Sequence, residues 1–482
     1  MTNTRLPFPF TRDHQVALDG VRLLYGPDAT PFGLREARRR IQGTPQLVAL
    51  SQDAFDSAVS VIYQAGGNDT GADELSFDLE EVDATSGPRD LLEDVTEAPV
   101  IQLVNQLLRR AVSSGASDLH IEPHEDGLRA RLRIDGFLQT VMDRSDVPVR
   151  RVISRLKVMA NLDIAETRLP QDGRIALRLG GRAIDTRVST LPGNYGERVV
   201  LRVLDRSAGL MPLEALGLKP DHIATLERLS ALPNGIILAT GPTGSGKTTT
   251  LYSLLRLANR DERNIVTVED PIEYDLQGVS QSQINSDIGM TFANGLRATL
   301  RQDPDVILVG EIRDAETASV AAQAALTGHL VFSSLHANGS VGAVIRLRDL
   351  GLDDFLIAST LRGIIAQRLL RRLCMDCREE RDITANEAAF FATRNMPVPA
   401  KTFHAKGCDT CTDSGYAGRV GIFEIVEIDE SLRDAIDQGA SEQQLKTRAI
   451  APEFTLLGQG LVAVTAGKTT LSETLRVVGD GA

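Results

Sequence analysis

The 482-residue chain reads as an α/β protein. A parallel-sheet domain is built round a phosphate loop, preceded by an α+β sheet domain and a small N-terminal domain. Three observations predict this. Gly241-Pro242-Thr243-Gly244-Ser245-Gly246-Lys247-Thr248 fits G-x-x-x-x-G-K-S/T in every fixed position. It follows the apolar run Gly235–Thr240 and precedes a helical stripe of Leu251, Leu254, Leu255 and Leu257, so strand, loop and helix N-terminus come in the order that aims a helix dipole at a phosphate. Further short apolar runs, Asn264–Val268, Val306–Val309 and Leu330–Ser334, are separated by helical patterns such as Ala315–Leu326, as in parallel α/β units. Upstream, Leu128, Ala130, Leu132 and Ile134 alternate strictly with Arg129, Arg131 and Arg133, the mark of antiparallel strands with one wet face.

Residues 1–70 suggest a small mixed domain. A helix is expected over Phe32–Ile41, then Leu47–Leu50 and a second helix near Ala54–Gln64. The cluster Arg35, Arg38, Arg39 and Arg40 is ordinarily a solvated helix face; docking onto an acidic partner is the sharper reading. Met1–Pro7 lacks an apolar signal core, so the cytosol is the default compartment. Residues 71–90, with Gly66-Gly67 before them and Gly71 at their start, read as a flexible acidic linker. Between Asp73 and Glu97 ten carboxylates face Arg89 alone, a net of −9, leaving −4 of the total −13 for the rest of the chain. Neither part is a basic body suited to nucleic acid. No apolar run is long enough to span a membrane.

The sheet domain is expected over 91–207. Val100, Leu103, Val104, Leu107 and Leu108 give a helix stripe, and Ser117–Pro123 a strand entry. Asp135-Gly136 turns one hairpin; Gly180-Gly181 turns a second, between Arg174–Leu179 and Arg182–Val188. Arg187 and Arg202 project from these strands. Arginine on a strand is usually a wet face, but so many could present themselves to phosphates across a subunit boundary. His120 and His124 flank a turn and read as surface or capping histidines.

The phosphate-loop domain is expected over 208–482. Gly241, Pro242, Thr243, Gly244, Ser245, Gly246, Lys247, Thr248 and Thr249 form the nucleotide-binding set. Backbone N–H groups wrap the polyphosphate, Lys247 reaches the outer phosphates, and the Thr248 hydroxyl joins a magnesium shell. Ligands of open parallel sheets sit at the carboxyl ends of strands. Those ends here run into Glu269–Glu273, Gly310–Asp314 and Leu335–Asn338. Glu311 is the principal catalytic candidate, with Gly310 where many phosphate-loop enzymes have Asp. Glu273 is a second acid, His336 a neutral donor to the γ-phosphate, and Asp270 beside Pro271 the member most readily conceded to turn formation. His329 is either packing or part of the phosphate sensor. Cys374, Cys377, Cys408 and Cys411 form two C-x-x-C knuckles thirty residues apart and are all the cysteines present. Four thiolates round a structural Zn²⁺, in a subdomain over 373–416, is the economical reading; free thiols or a redox pair is the alternative. His404 lies nearby, but four thiols suffice.

Taken together, Val266–Glu273, Leu300–Asp305 before Gly310–Asp314, Thr327–Leu330 through His336, Arg168–Arg174 and Gly196-Glu197-Arg198 resemble the boxes of the secretion ATPase superfamily. The resemblance runs from about Leu91 to the C-terminus and is closest to the type II secretion traffic ATPases. It implies a RecA-like core, a PAS-like sheet domain and a tetracysteine zinc insertion. It also implies a homo-hexamer hydrolysing ATP with Mg²⁺ to power protein export, with family arginines falling on Arg187, Arg202, Arg297 and Arg301. Such a chain is expected at the cytoplasmic face of an inner membrane, held there by platform proteins through residues 1–70. Pilus assembly is the nearest alternative, a DNA-translocating ring is disfavoured by the charge, and a nucleotide-sensing scaffold without turnover is the non-enzymatic rival.

Overall fold

The computed structural model describes residues 99–179, 182–205, 211–258 and 262–479, together with residues 6, 10, 11, 14–19, 22–39, 46–52, 54, 55, 58, 59 and 62. The expected acidic linker, Arg40, the Gly180-Gly181 turn and much of the second N-terminal helix lie outside the described residues. The chain divides into two units, Met1–Ala208 and Gly209–Ala482.

In the N-terminal region β1 (Val16–Asp19) and β2 (Arg22–Tyr25) pair antiparallel, and β3 (Gln46–Ala49) adds parallel to β2. The helix Pro31–Arg39 packs on this sheet through Ala37, over a core of Val16, Leu18 and Leu23.

Six strands follow in one antiparallel sheet: β4 (Asp118–His124), β5 (Gly127–Ile134), β6 (Phe137–Arg144), β7 (Gln171–Leu179), β8 (Arg182–Leu191) and β9 (Arg198–Asp205), in the order β6-β5-β4-β9-β8-β7. The two-residue alternation buries Leu119, Ile121, Leu128, Ala130, Leu132, Val199 and Leu201 beneath helices Pro99–Ser113 and Val149–Met159. The opposite face carries the arginines. His120 and His124 both lie on β4, ahead of the turn at Glu125-Asp126. His120 is buried, which corrects its expected surface role.

The second unit holds β10 (Gly235–Thr240), β11 (Ile265–Glu269), β12 (Ser280–Gln283), β13 (Val306–Val309), β14 (Leu330–Leu335), β15 (Leu361–Leu373), β16 (Glu379–Asp382), β17 (Lys401–His404) and β18 (Tyr416–Glu427). Among the described residues the main sheet runs β12-β11-β13-β14-β10-β15-β18, parallel except for β18 against β15. Alternation along β10 sends Ile237 and Ala239 to one face, under Leu251, Leu254 and Leu255 of the helix Lys247–Ala258. Ile236 and Leu238 go to the other, where Ala318, Ala321, Ala322 and Ala325 let the helix Ala315–Leu326 come close. Both faces are buried, which is why these strands read as continuous apolar runs. Beyond the core β15 and β18 continue as a ribbon, and Leu373 pairs with Tyr416 at its end. The β16–β17 hairpin and the helix Ala385–Ala392 fall between those two residues in the chain.

Candidate functional site: the phosphate loop, its acid, and the cysteine cluster

The loop between β10 and its helix turns on three glycines of positive φ: Gly241 at 148°, Gly244 at 76° and Gly246 at 90°. Side-chain bulk has no room at Gly241, where a Cβ would lie 2.6 Å from Ser245 Oγ and 2.7 Å from the Gln367 carbonyl. The Lys247 ammonium donates to the Gly241 and Pro242 carbonyls at 2.9 and 3.0 Å, so it arches over the loop it belongs to. Burial pushes its pKa down; Glu311 opposes that shift and Arg368 adds to it. Thr250, one turn into the helix, donates to Gln367 Oε1 at 2.7 Å in the interior. Gln367 thus braces the loop from β15, with Arg368 beside it, and no motif in the sequence marks either.

Glu311 follows β13, with its side chain 16% exposed. It accepts from Arg313, and His336 Nε2 at the end of β14 lies 3.6 Å from its other oxygen. The strand ends therefore bring Glu311, His336 and the electrostatic reach of Lys247 together. Gly310 is hemmed in: a Cβ there would lie 3.3 Å from the Phe292 ring and 3.4 Å from Glu269 Cα, which leaves little room for the aspartate that many phosphate loops place here. Arg313, two residues beyond Glu311, is the residue of this cluster that sequence reasoning passed over.

The first strand end divides differently. Glu269 is buried and accepts from Tyr252, Thr267 and Gln281, the last two at 2.5 and 3.1 Å. Burial raises the Tyr252 pKa, and the adjoining Glu269 carboxylate raises it further. This pair ties the phosphate-loop helix to β11. Asp270 is exposed, ahead of a cis bond to Pro271. Glu273 lies in the loop beyond, its backbone N–H 3.3 Å from the Tyr252 hydroxyl. Among the described residues the ion pairs of Glu311 are with Arg313 and His336. His329 faces the Ala324 carbonyl at 2.9 Å and Thr327 at 3.2 Å, closing the end of its helix, which favours packing.

Arg297, exposed on the helix Phe292–Thr299, pairs with Glu316 at 2.7 Å, and Arg301, exposed just beyond that helix, donates to the Arg297 carbonyl at 2.9 Å. In the first unit Arg187 and Arg202 are directly opposite on β8 and β9. The same rung continues to Arg174 on β7 and, through Asp118 on β4, to Arg133 on β5. Asp118 lies 3.3 Å from Arg202 and 3.6 Å from Arg133. Strand alternation flags each arginine singly; only the register aligns them. Behind the sheet the buried Lys157 ammonium reaches Glu197 at 2.8 Å and the Glu166 carbonyl at 2.7 Å.

The four cysteines converge at the end of the ribbon, their sulfurs all within 4.8 Å of one another. Cys374–Cys408, Cys377–Cys411 and Cys408–Cys411 are 3.9, 3.8 and 3.7 Å apart. A tetrahedron of thiolates about 2.3 Å from a Zn²⁺ has edges of about 3.8 Å, so the donor set fits that ion. Burial pushes the Cys377 thiol up to about 12. At Cys411 burial is outweighed by donated N–H groups of Cys408 and Gly415, which hold its pKa at about 7. His404 is drawn instead to Glu379 at 3.3 Å.

Residues 93–476 match the family described as Type II/IV secretion system protein, and residues 5–63 match an N-terminal domain of GSPII protein E. The Type II secretion system ATPase E of Vibrio cholerae is 46% identical over 98% of this chain and 96% of its own length. The Type II secretion system protein HxcR of Pseudomonas aeruginosa is 45% identical, covering 98% and 99%. Among solved structures, the pilus retraction motor PilT with bound ADP superposes with a TM-score of 0.53 at 27% identity, over 77% of this chain and 95% of that one. The Legionella pneumophila ATPase DotB superposes with a TM-score of 0.58 at 23% identity, over 79% and 96%.

Proposed function

The chain belongs to the type II/IV secretion system protein family and is an ATPase of its type II branch; from that premise we propose that it is a hexameric motor in which Glu311 directs ATP hydrolysis at the phosphate loop. The observation that carries this is Glu311 itself, a carboxylate flanked by His336 at 3.6 Å and by the field of Lys247. Backbone N–H groups from Gly241 to Thr249 cradle the phosphates, and Lys247 turns from its carbonyl partners to the outer ones. Glu311 orients the attacking water and accepts its proton; His336 reads the terminal phosphate. Magnesium, when bound, neutralises charge on the outer phosphate oxygens, with Thr248 as its ligand from the loop. Glu273 stays a secondary acid in this reading, its support being sequence position alone.

Arg187 and Arg202 of the sheet domain, with Arg297 and Arg301, supply positive charge to the phosphates as subunits move, coupling hydrolysis to motion. The support for the first two is the arginine rung; for the other two it is their exposed position on the helix Phe292–Thr299 and just beyond it. Zn²⁺ held by Cys374, Cys377, Cys408 and Cys411 has a structural role, since four protein ligands leave no open position. Residues 1–70 dock on an inner-membrane platform and hold the motor at the cytoplasmic face, which the family match over residues 5–63 supports. Among the described residues no helix is long and apolar enough to cross a membrane. Pilus assembly remains the second reading, favoured by the likeness to a pilus retraction motor.

The deciding measurement is ATP turnover and nucleotide binding by Glu311→Gln in the full chain. ATP affinity stays within a few-fold while turnover falls about 10²–10⁴-fold. Turnover at the parent rate would remove Glu311 from the mechanism.

A further inference from the structure

On the sheet face away from the phosphate-loop helix lies a cavity of about 760 Å³, a size that accommodates a small organic ligand. Its walls come from the loop Asn338–Val341, from Arg368 and Glu424 on β15 and β18, and from the helices Leu456–Thr465 and Leu471–Val478. Arg368 is only 9% exposed. Among the described residues its one hydrogen bond is from Nη1 to the carbonyl of its own neighbour Gln367, at 2.9 Å. Glu424 raises its pKa only from a distance, while burial lowers it. That carboxylate is engaged elsewhere, accepting from the Ser340 backbone and hydroxyl and from the Leu456 N–H. None of its nitrogens is a buried atom without a partner, so its remaining N–H donors open onto the cavity, where an anion can take the place of water. Arg394, stacked on the Phe390 ring, and Lys446, paired with Glu442 at 3.2 Å, also line the cavity. Met396, Ile450, Leu457, Leu461 and Val477 supply apolar wall.

We propose that this cavity is a second ligand site, taking a small organic phosphate whose anionic group pairs with Arg368 and whose apolar body lies against Met396 and Leu461. The site is apart from the phosphate loop yet joined to it. Arg368 Nη1 would stand 3.1 Å from a Cβ on Gly241, the first loop residue, and its charge is felt by Lys247. Thr240, just before the loop, donates to the carbonyl of Gly339 in the cavity wall at 3.0 Å. An occupant that draws the Arg368 charge toward itself relieves Lys247 of a repelling neighbour, so the site is placed to tune nucleotide affinity.

The test is calorimetric titration of the full chain with AMP and, separately, inorganic phosphate, in a Lys247→Ala background that disables the phosphate loop. Binding of AMP persists there, weakens at least tenfold on adding Arg368→Gln, and weakens several-fold on adding Arg394→Gln, which is remote from the loop. In an otherwise unaltered chain, Arg394→Gln leaves ATP turnover without AMP unchanged and removes any response to AMP. Phosphate that binds where AMP does not would identify an anion pocket without organic selectivity and overturn the assigned ligand class. Loss of AMP binding with Lys247→Ala alone, or binding indifferent to both arginine substitutions, overturns the site. Failure here leaves the hydrolysis reading untouched, because that stands on Glu311.

Discussion

His120 shows how one buried side chain sets a pH response. Arg198 Nη2 lies 3.2 Å from its Nδ1, so Nδ1 accepts and the proton sits on Nε2, which has no partner. Burial lowers its pKa from 6.5; Asp118 opposes, and Arg198 reinforces the shift. The unfolded chain therefore binds this proton first. The stabilisation is complete above about 6.5 and is lost as pH falls through that value and below. Urea midpoints measured between about pH 7.5 and 5 should fall more steeply for the parent than for His120→Gln. The Lys157–Glu197 pair makes a sharper case, with side chains 1% and 7% exposed. Removing one partner strands a buried charge, so Glu197→Ala is expected to destabilise by roughly 3–5 kcal/mol. The double change Lys157→Met/Glu197→Leu should recover much of that in the same unfolding assay. Gly241→Ala sets a Cβ against a backbone carbonyl in a conformation that L side chains rarely adopt. Nucleotide binding should be lost, and strain of about 1–3 kcal/mol should lower the thermal midpoint as well.

At the scale of elements, the ribbon of β15 and β18 explains why thirty residues can separate two cysteine pairs. Leu373 and Tyr416 are paired neighbours, so each knuckle begins where the other ends, and the spacer folds as a β16–β17 hairpin and one helix capped by Thr384 and Glu387. Cys408→Ser, or zinc removal by chelation, should lower the thermal midpoint and make 374–415 the segment cleaved first by protease. An unchanged midpoint in protein freed of metal would tell against a structural ion. The Tyr252–Glu269 contact performs a similar service between the phosphate-loop helix and β11. Glu269 occupies the strand end that a sequence reader would assign to chemistry, and it is spent on holding two elements together.

At the scale of the whole molecule, the arginine rung and the phosphate loop lie in separate units of the chain. In the proposed mechanism hydrolysis draws on both. Arg202→Ala is therefore expected to retain ATP binding and lose turnover by about 10³-fold, the scale of a supplied arginine. Wild-type turnover in that variant would confine the chemistry to the second unit. Strand pairing within the first unit limited what could be read from residues alone. Arg187 and Arg202 are visible as alternating strand residues, but Arg174, Arg133 and Asp118 join them only through strand pairing, which depends on hydrogen-bond partners far away in the chain.

The phosphate loop, the buried parallel strands, the alternating sheet and the paired cysteines were all legible in the linear sequence, because each is written in local terms. Glycines mark where backbone must approach a ligand, apolar runs mark burial on both faces, and period two marks a sheet with one wet side. Tertiary structure alone decided that Glu311 keeps company with His336 and Arg313 while Glu269 turns inward, and that Gly310 has little space for a carboxylate. It alone set Gln367 and Arg368 behind the loop. Those outcomes depend on which strands lie side by side and how closely they pack, and long-range packing leaves no periodic trace in the chain.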